Sequence, residues 1–104
     1  MSRRMKKYKK ELCFLGTCTR QQRTNFIKHA PTDIIHSIGD VANTVLTGNL
    51  PIQNKYRKKL RRQLTGLKQL ALKRGSIARK RTLLSSQRGG SILGTLWTII
   101  KSLF

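Results

Sequence analysis

TDIIHSIGDVANTVLTGNLP, residues 32–51, decides the fold of this chain. Apolar residues recur in it at steps of three and four, which places them on one face of a helix. That face consists of Ile34, Ile35, Ile38, Val41, Ala42, Val45 and Leu46. Thr32 suits the N-cap, and Asp33 is favourable at the positive helix end. Gly48-Asn49 offers a C-cap, and Pro51 bars continuation. The stretch therefore predicts a buried core helix.

Helical patterns also surround this stretch. Thr19 and Gln22 fit a capping box, which predicts a helix over residues 20–29 that Pro31 ends. A third helix is predicted over residues 53–74, with an apolar stripe of Tyr56, Leu60, Leu64, Leu67 and Ala71 and a stop at Gly75. Ser76 can cap a further short helix that holds Ile77 and Leu84. Because no segment alternates with the period of a strand, the prediction is an all-α bundle of three to four short helices.

The charge of the chain is extreme and one-sided. Its 104 residues carry 23 Lys or Arg against 3 Asp or Glu, a formal charge of +20. Residues 41–104 contain no acidic residue at all. Like charges four residues apart, such as Lys55 and Lys59, destabilise a free helix. A polyanion would relieve that repulsion, and nucleic acid phosphate is the commonest one.

The predicted nucleic-acid-binding residues lie on the third helix and the short helix after it. They are Lys55, Arg57, Lys58, Lys59, Arg61, Arg62, Lys68, Lys73, Arg74, Arg79, Lys80 and Arg81. Lys and Arg reach phosphates without reading bases, so binding is expected to be sequence-independent. Aromatic residues interleaved with the charges would be needed to stack single-stranded bases. They are few, and Phe26 and Tyr56 look like core residues, so a duplex is favoured over a single strand. Duplex DNA is the expected partner, and RNA stays open as the alternative.

Enzymatic and metal chemistry find little support in the residues. Glu11, Asp33 and Asp40 are the only carboxylates, and no glycine-rich phosphate loop opens a helix. Cys13, Cys18, His29 and His36 follow the spacing C-x4-C-x10-H-x6-H, whereas a zinc finger needs about twelve residues in the middle and three to five between the histidines. We expect no catalytic residue, no metal and no cofactor.

The chain divides by composition into four segments. Residues 1–18 are expected to be a basic N-terminal arm, residues 19–86 the helical nucleic-acid-binding body, residues 87–90 a Gly-Gly linker or protease site, and residues 91–104 an apolar tail. The tail has apolar pairs every three to four residues and is too short for a membrane span, which predicts an amphipathic helix. Its expected membrane or partner contacts are Ile92, Leu93, Leu96, Trp97 and Ile100.

A basic body followed by Gln87-Arg88-Gly89-Gly90-Ser91-Ile92-Leu93 and an apolar tail resembles the precursors of the adenovirus core protein mu. It is similar also to small basic core proteins of adintovirus and Maverick/Polinton-type elements. The resemblance implies a DNA-condensing protein of the virion core, acting in the host nucleus. It also implies cleavage between Gly90 and Ser91 by the virion cysteine protease, with Gln87, Arg88, Gly89 and Gly90 as its recognition site. Capsid proteins or a membrane would then be the partners of the tail.

Two other functions fit parts of the sequence. A membrane-active or capsid-scaffold protein would use the amphipathic tail. A host ribosomal or other RNA-binding protein would share the high charge but not the apolar C-terminal tail.

Overall fold

The fold is built around the helix that the apolar periodicity predicts. A computed structural model describes residues 3–47, 52–72 and 75–101. In it the core helix spans Thr32–Leu46, and its apolar face is buried, with Ile35, Ile38 and Ala42 completely inaccessible. The expected C-cap at Gly48-Asn49 and the stop at Pro51 lie outside the described residues.

The described residues form eight α-helices and no strand. In chain order these are α1 (Arg3–Lys7), α2 (Lys9–Thr17), α3 (Arg20–His29), α4 (Thr32–Leu46), α5 (Asn54–Arg62), α6 (Leu64–Ala71), α7 (Ile77–Ser85) and α8 (Gln87–Ile100). The all-α class is confirmed, and the count of three to four helices is corrected. The prediction was too low because short helices replace both the expected arm and the single third helix.

Two helix starts follow the capping chemistry of the sequence. At α3 the Thr19 hydroxyl accepts from the Gln22 backbone N–H at 3.3 Å, and the Gln22 side chain accepts from the Thr19 backbone N–H at 3.0 Å. At α7 the Ser76 hydroxyl accepts from the Arg79 backbone N–H at 3.4 Å. Each bond satisfies a backbone donor that a helix start leaves without an intrahelical partner.

Helix α4 is the centre of the packing. Helices α1, α6, α7 and α8 contact it, while α2 packs on α8 and α3 packs on α7. The buried apolar residues form one cluster to which seven of the eight helices contribute, and α5 reaches it only through partly buried side chains. The radius of gyration is 12.3 Å, close to the ~13 Å of an ordinary folded domain of about 100 residues. The charges of the described residues are therefore carried on a packed body.

The N-terminal residues are part of this body and not a separate arm. Met5 of α1 and Leu12 and Leu15 of α2 are buried in the common core. Many lysines and arginines surround these three residues in the sequence, so the segment looks like a charge run. In the helices, however, the three apolar side chains face the core. The expected division into arm and body is corrected accordingly.

The predicted third helix is broken at Gln63. There the backbone has φ −100° and ψ 6°, and its N–H is shared between the carbonyls of Lys59 and Leu60, both at 3.1 Å. The Gln63 side chain donates to the Ser91 hydroxyl at 3.0 Å, which ties the break to α8. The change of direction leaves Leu64 39% exposed while Leu67 is fully buried. Leu64 is therefore corrected from a core residue to a surface residue.

Candidate nucleic-acid interface

Helix α5 presents a dense basic surface. Its sequence NKYRKKLRR has no buried residue, and only Tyr56 and Leu60 are half-buried. All six of its cations are exposed, namely Lys55, Arg57, Lys58, Lys59, Arg61 and Arg62. The nine residues of α5 span about 13 Å, a length over which one DNA strand presents about four phosphates. The cations therefore match or exceed the local density of phosphate charge.

The acidic residues of the chain lie elsewhere, and Asp33 and Asp40 are engaged there. Arg4 approaches Asp40 at 3.7 Å and Asp33 at 4.0 Å, and the Tyr8 hydroxyl donates to Asp33 at 3.2 Å. Glu11 belongs to α2. Within the described part of the chain no carboxylate forms an ion pair with α5. The α5 cations thus have no internal counter-charge.

Local contacts order part of the α5 surface. The Arg57 side chain donates through Nε to the Ile52 carbonyl at 3.2 Å, which leaves its terminal nitrogens for other partners. The Lys55 ammonium lies 5.0 Å from the centre of the Tyr56 ring. The sequence had predicted that Tyr56 is a core residue, but it is only half-buried. Its ring already carries a cation and offers a poorer stacking surface for a base.

Comparison with models of protein families, with curated proteins and with solved structures found no match.

The other predicted binding residues are distributed over α6 and α7. Lys68 and Arg79 are exposed. Arg81 is half-buried, and its Nη1 donates to the Ile27 carbonyl at 2.6 Å, so part of its guanidinium serves the α3–α7 contact. Lys73 and Arg74 lie outside the described residues.

A second basic surface lies between α3 and α7. A shallow groove of about 420 Å³ is lined by Thr24, Lys28, Arg81, Thr82, Ser85 and Ser86. Two cations and four hydroxyls, with no carboxylate, are groups that proteins use to hold phosphates. Sequence reasoning missed Lys28 because it lies apart from the long charge runs.

Lys80 is not a surface residue, which corrects the expectation that it lies on the basic surface with its neighbours. Its side chain is 1% exposed, and its ammonium donates to the Leu72 carbonyl. Burial lowers the pKa of the Lys80 ammonium below its ordinary value. The run Arg79-Lys80-Arg81 looks uniform in sequence, but helical geometry turns its middle member toward the core.

The segment expected to be a linker or protease site forms the first turn of α8. The Ser86 hydroxyl caps this helix by accepting from the Gly89 backbone N–H at 3.1 Å, and the Gly90 N–H donates to the Ser86 carbonyl at 3.2 Å. A Cβ on Gly89 would lie 2.7 Å from the Leu84 Cα, and one on Gly90 would lie 2.6 Å from the Arg23 Cζ. Close packing therefore explains why both positions are glycine. The expectation that this segment is a linker is corrected, because the segment is helical.

Residues 91–100 of the apolar tail are helical as predicted, but their apolar face is turned inward. Ile92, Leu93, Leu96 and Ile100 are buried, and Trp97 is half-buried against Gly16 of α2. These side chains, expected to contact a membrane or a partner, fill the core of the chain itself. Among the described helices, none has the length and apolar character to cross a membrane.

No clustered metal ligands are present in residues 3–47, 52–72 and 75–101. Cys13 and Cys18 are free thiols, and the Cys18 Sγ lies 3.8 Å from the Leu15 carbonyl oxygen. Burial raises the pKa of the Cys18 thiol, an effect that the nearby Arg23 partly opposes. A thiol whose pKa is raised is a weaker nucleophile and metal ligand at neutral pH.

Arg23 is a structural cation that sequence reasoning did not single out. It is 5% exposed, and its guanidinium donates to the carbonyls of Leu84 and Ser86, both at 2.9 Å. It thereby satisfies carbonyls where α7 ends and joins α3 to the start of α8. The available signal was its spacing of four residues from Ile27, which puts both on the buried face of α3.

Proposed function

We propose that this protein binds duplex DNA without sequence preference and condenses it through the exposed face of α5. The observation that carries the proposal is the set of six exposed α5 cations with no internal counter-charge. Phosphates supply that counter-charge, and release of their bound counterions drives association. Lys68, Arg79 and the groove between α3 and α7 add further cationic contacts.

The chemistry of the surface favours phosphate contacts over base contacts. Base readout requires a fixed set of Asn, Gln or Arg side chains directed into a groove. On α5 the exposed cations surround the helix on every side that Tyr56 and Leu60 leave free. Such a surface meets the backbone of any duplex that approaches it.

The biological setting that the resemblance implies is the core of a virion whose DNA is packaged in the host nucleus. In that setting the virion protease would cut after Gly90, and the tail would contact capsid proteins or a membrane before the cut. Both events require the first turn of α8 to open, since Gly89 and Gly90 are helical and packed. We therefore assign the cleavage and the tail contacts to a state of the chain in which α8 is detached from the core. A purely membrane-active function has less support, because the apolar face of α8 is buried.

The test separates the α5 surface from the overall positive charge. One variant replaces three α5 cations, Lys55→Gln, Lys58→Gln and Arg62→Gln. The matched control replaces three exposed cations of α1, α2 and α3, Lys6→Gln, Lys10→Gln and Arg20→Gln. Both lose three charges, and glutamine has nearly the helix propensity of lysine and arginine.

Affinity for two unrelated duplexes of equal length is measured across a salt series. Each phosphate contact contributes about 0.9 to the slope of log affinity against log salt, so the α5 variant should lose about 2.7 from the parent slope. The slope of log affinity against log salt should fall by less than about 1 in the control variant. Equal losses in the two variants, or a parent that strongly prefers one duplex, would overturn the proposal.

A further inference from the structure

A cleft lies apart from α5, where α1, α4, the end of α6 and α7 meet. Its volume is about 450 Å³, within the range of small-molecule sites. It is lined by Arg3, Arg4, His36, Gly39, Asp40, Leu70, Ala71, Leu72 and Lys80. The cleft therefore combines an apolar wall with several charged groups.

Lys80 is the group that gives the cleft its chemistry. An ammonium has three N–H donors, and the Leu72 carbonyl accepts one of them. No carboxylate of the described residues lies within ion-pair distance of it. Its stem passes close to Gly75, where a Cβ would lie 3.1 Å from the Lys80 Cε. A buried cation without an anion is costly, so an anion that reached it would be bound firmly.

The rest of the lining supports an anion with more than one charge. Arg3 and Arg4 enter from α1, and Asp40 is the only carboxylate of the lining. Asp40 lies 3.7 Å from Arg4, so its charge is largely matched within the cleft. Among the described residues of the lining, three cations and one carboxylate leave a formal charge of +2, with His36 counted as neutral.

We propose that this cleft is a binding site for a phosphate monoester or polyphosphate, with Lys80 contacting the phosphate from within and Arg3 from the exposed side. Arginine forms paired hydrogen bonds to phosphate oxygens, and lysine binds them as a point charge. A dianionic phosphate matches the charge of +2. The ligand is either a free polyphosphate compound or the terminal phosphate of a nucleic acid. The site does not require the DNA-binding surface on α5.

The test measures the melting temperature (Tm) of the full chain with pyrophosphate, against sodium sulfate at equal ionic strength. A ligand at ten times its dissociation constant raises the Tm of a domain of this size by about 6–11 °C. Lys80→Met keeps the buried volume and removes the charge. It should raise the Tm without ligand and abolish the pyrophosphate shift, whereas the exposed control Lys68→Met should keep the shift.

A second variant and a second pair of ligands complete the test. Arg3→Gln changes an exposed residue and should weaken pyrophosphate binding at least fivefold even if Lys80→Met folds poorly. A 5′-phosphorylated oligonucleotide is compared with its 5′-hydroxyl twin in about 0.5 M salt, where contacts to the nucleic acid backbone are weak. If the phosphorylated form stabilises the chain more, the ligand is the terminal phosphate of a nucleic acid. Stabilisation by pyrophosphate with no difference between the twins assigns a free ligand.

The proposal is overturned if sulfate gives the same shift as pyrophosphate. It is overturned equally if Arg3→Gln and Lys80→Met respond like the parent. The α5 triple variant should keep the full pyrophosphate shift, so failure of the DNA-binding proposal and failure of this one are told apart.

Discussion

Replacing Gly89 by alanine tests whether the Gly-Gly step exists for packing. In a helix interior this change alone stabilises by about 1 kcal/mol, because alanine has the better helix propensity. At Gly89, however, the new Cβ would lie 2.7 Å from the Leu84 Cα and 2.8 Å from the Leu84 carbonyl carbon. Backbone atoms cannot rotate away as a side-chain end can, so α7 and α8 would have to separate. Overpacking of this kind costs about 1–3 kcal/mol.

Gly94 provides the matched control in the same helix. A Cβ there would meet nothing closer than the Gly16 carbonyl oxygen at 3.9 Å, an ordinary contact. Gly94→Ala should therefore raise the free energy of unfolding by about 0.5–1 kcal/mol. We expect Gly89→Ala to lower it by about 0–2 kcal/mol once propensity and overpacking are combined.

The assay is urea unfolding followed by far-ultraviolet circular dichroism. The unfolding free energies of the parent and the two variants are compared with one common slope of free energy against urea concentration. The decisive quantity is the difference between the two alanine variants, because alanine is favoured over glycine at both helical positions and only Gly89 has close backbone neighbours. If Gly89→Ala were as stable as Gly94→Ala, the close approach of α8 to the end of α7 would be wrong. The Gly-Gly pair would then need another explanation, of which protease recognition is the one that the sequence offers.

Two further changes test the core. Leu67→Ala should cost about 2–5 kcal/mol in urea unfolding because Leu67 is fully buried, while Leu64→Ala should cost less than about 1 kcal/mol because Leu64 is 39% exposed; similar costs would mean that the break at Gln63 is absent. A chain that stops at Gly90 loses four buried apolar side chains, and burial of each contributes about 1.5–3 kcal/mol. Their sum is comparable to the whole stability of a small domain, so the shortened chain should lose most of its helical circular dichroism. Retention of the parent signal would show that α8 is dispensable.

The sequence predicted most of the elements whose signals are local, although the N-cap of α4 is Pro31 and not Thr32 as expected. The periodicity of α4, the capping box at Thr19 and the cap at Ser76 all act through neighbouring residues, and the structure confirms each of them. The boundaries of α3 follow from its cap and from Pro31 in the same way.

The elements that escaped prediction depend on contacts between distant residues. The break at Gln63 is tied to Ser91, 28 residues away, and no local signal stops the helix there. Lys80 lies inward because α7 packs between other helices, although its neighbours Arg79 and Arg81 have the same charge. Sequence spacing could place the α5 cations on a helix, and their exposure is as expected. Which cations lie inside was decided by tertiary packing.

Folding and the proposed cleavage would make opposite demands on the same residues. Gly89 and Gly90 let α8 start close against α7 and Arg23, and the helix then delivers Ile92, Leu93 and Leu96 to the core. A protease needs the same two glycines extended in its cleft, which is possible only when that turn is open. A cut after Gly90 would leave the α5 cations on a chain whose core has lost α8. Since phosphate contacts require charge but little fixed geometry, such a chain could still bind DNA, now as a more flexible polycation. The folded precursor and the cut product would thus share the charges of α5 and differ in the rigidity with which they present them.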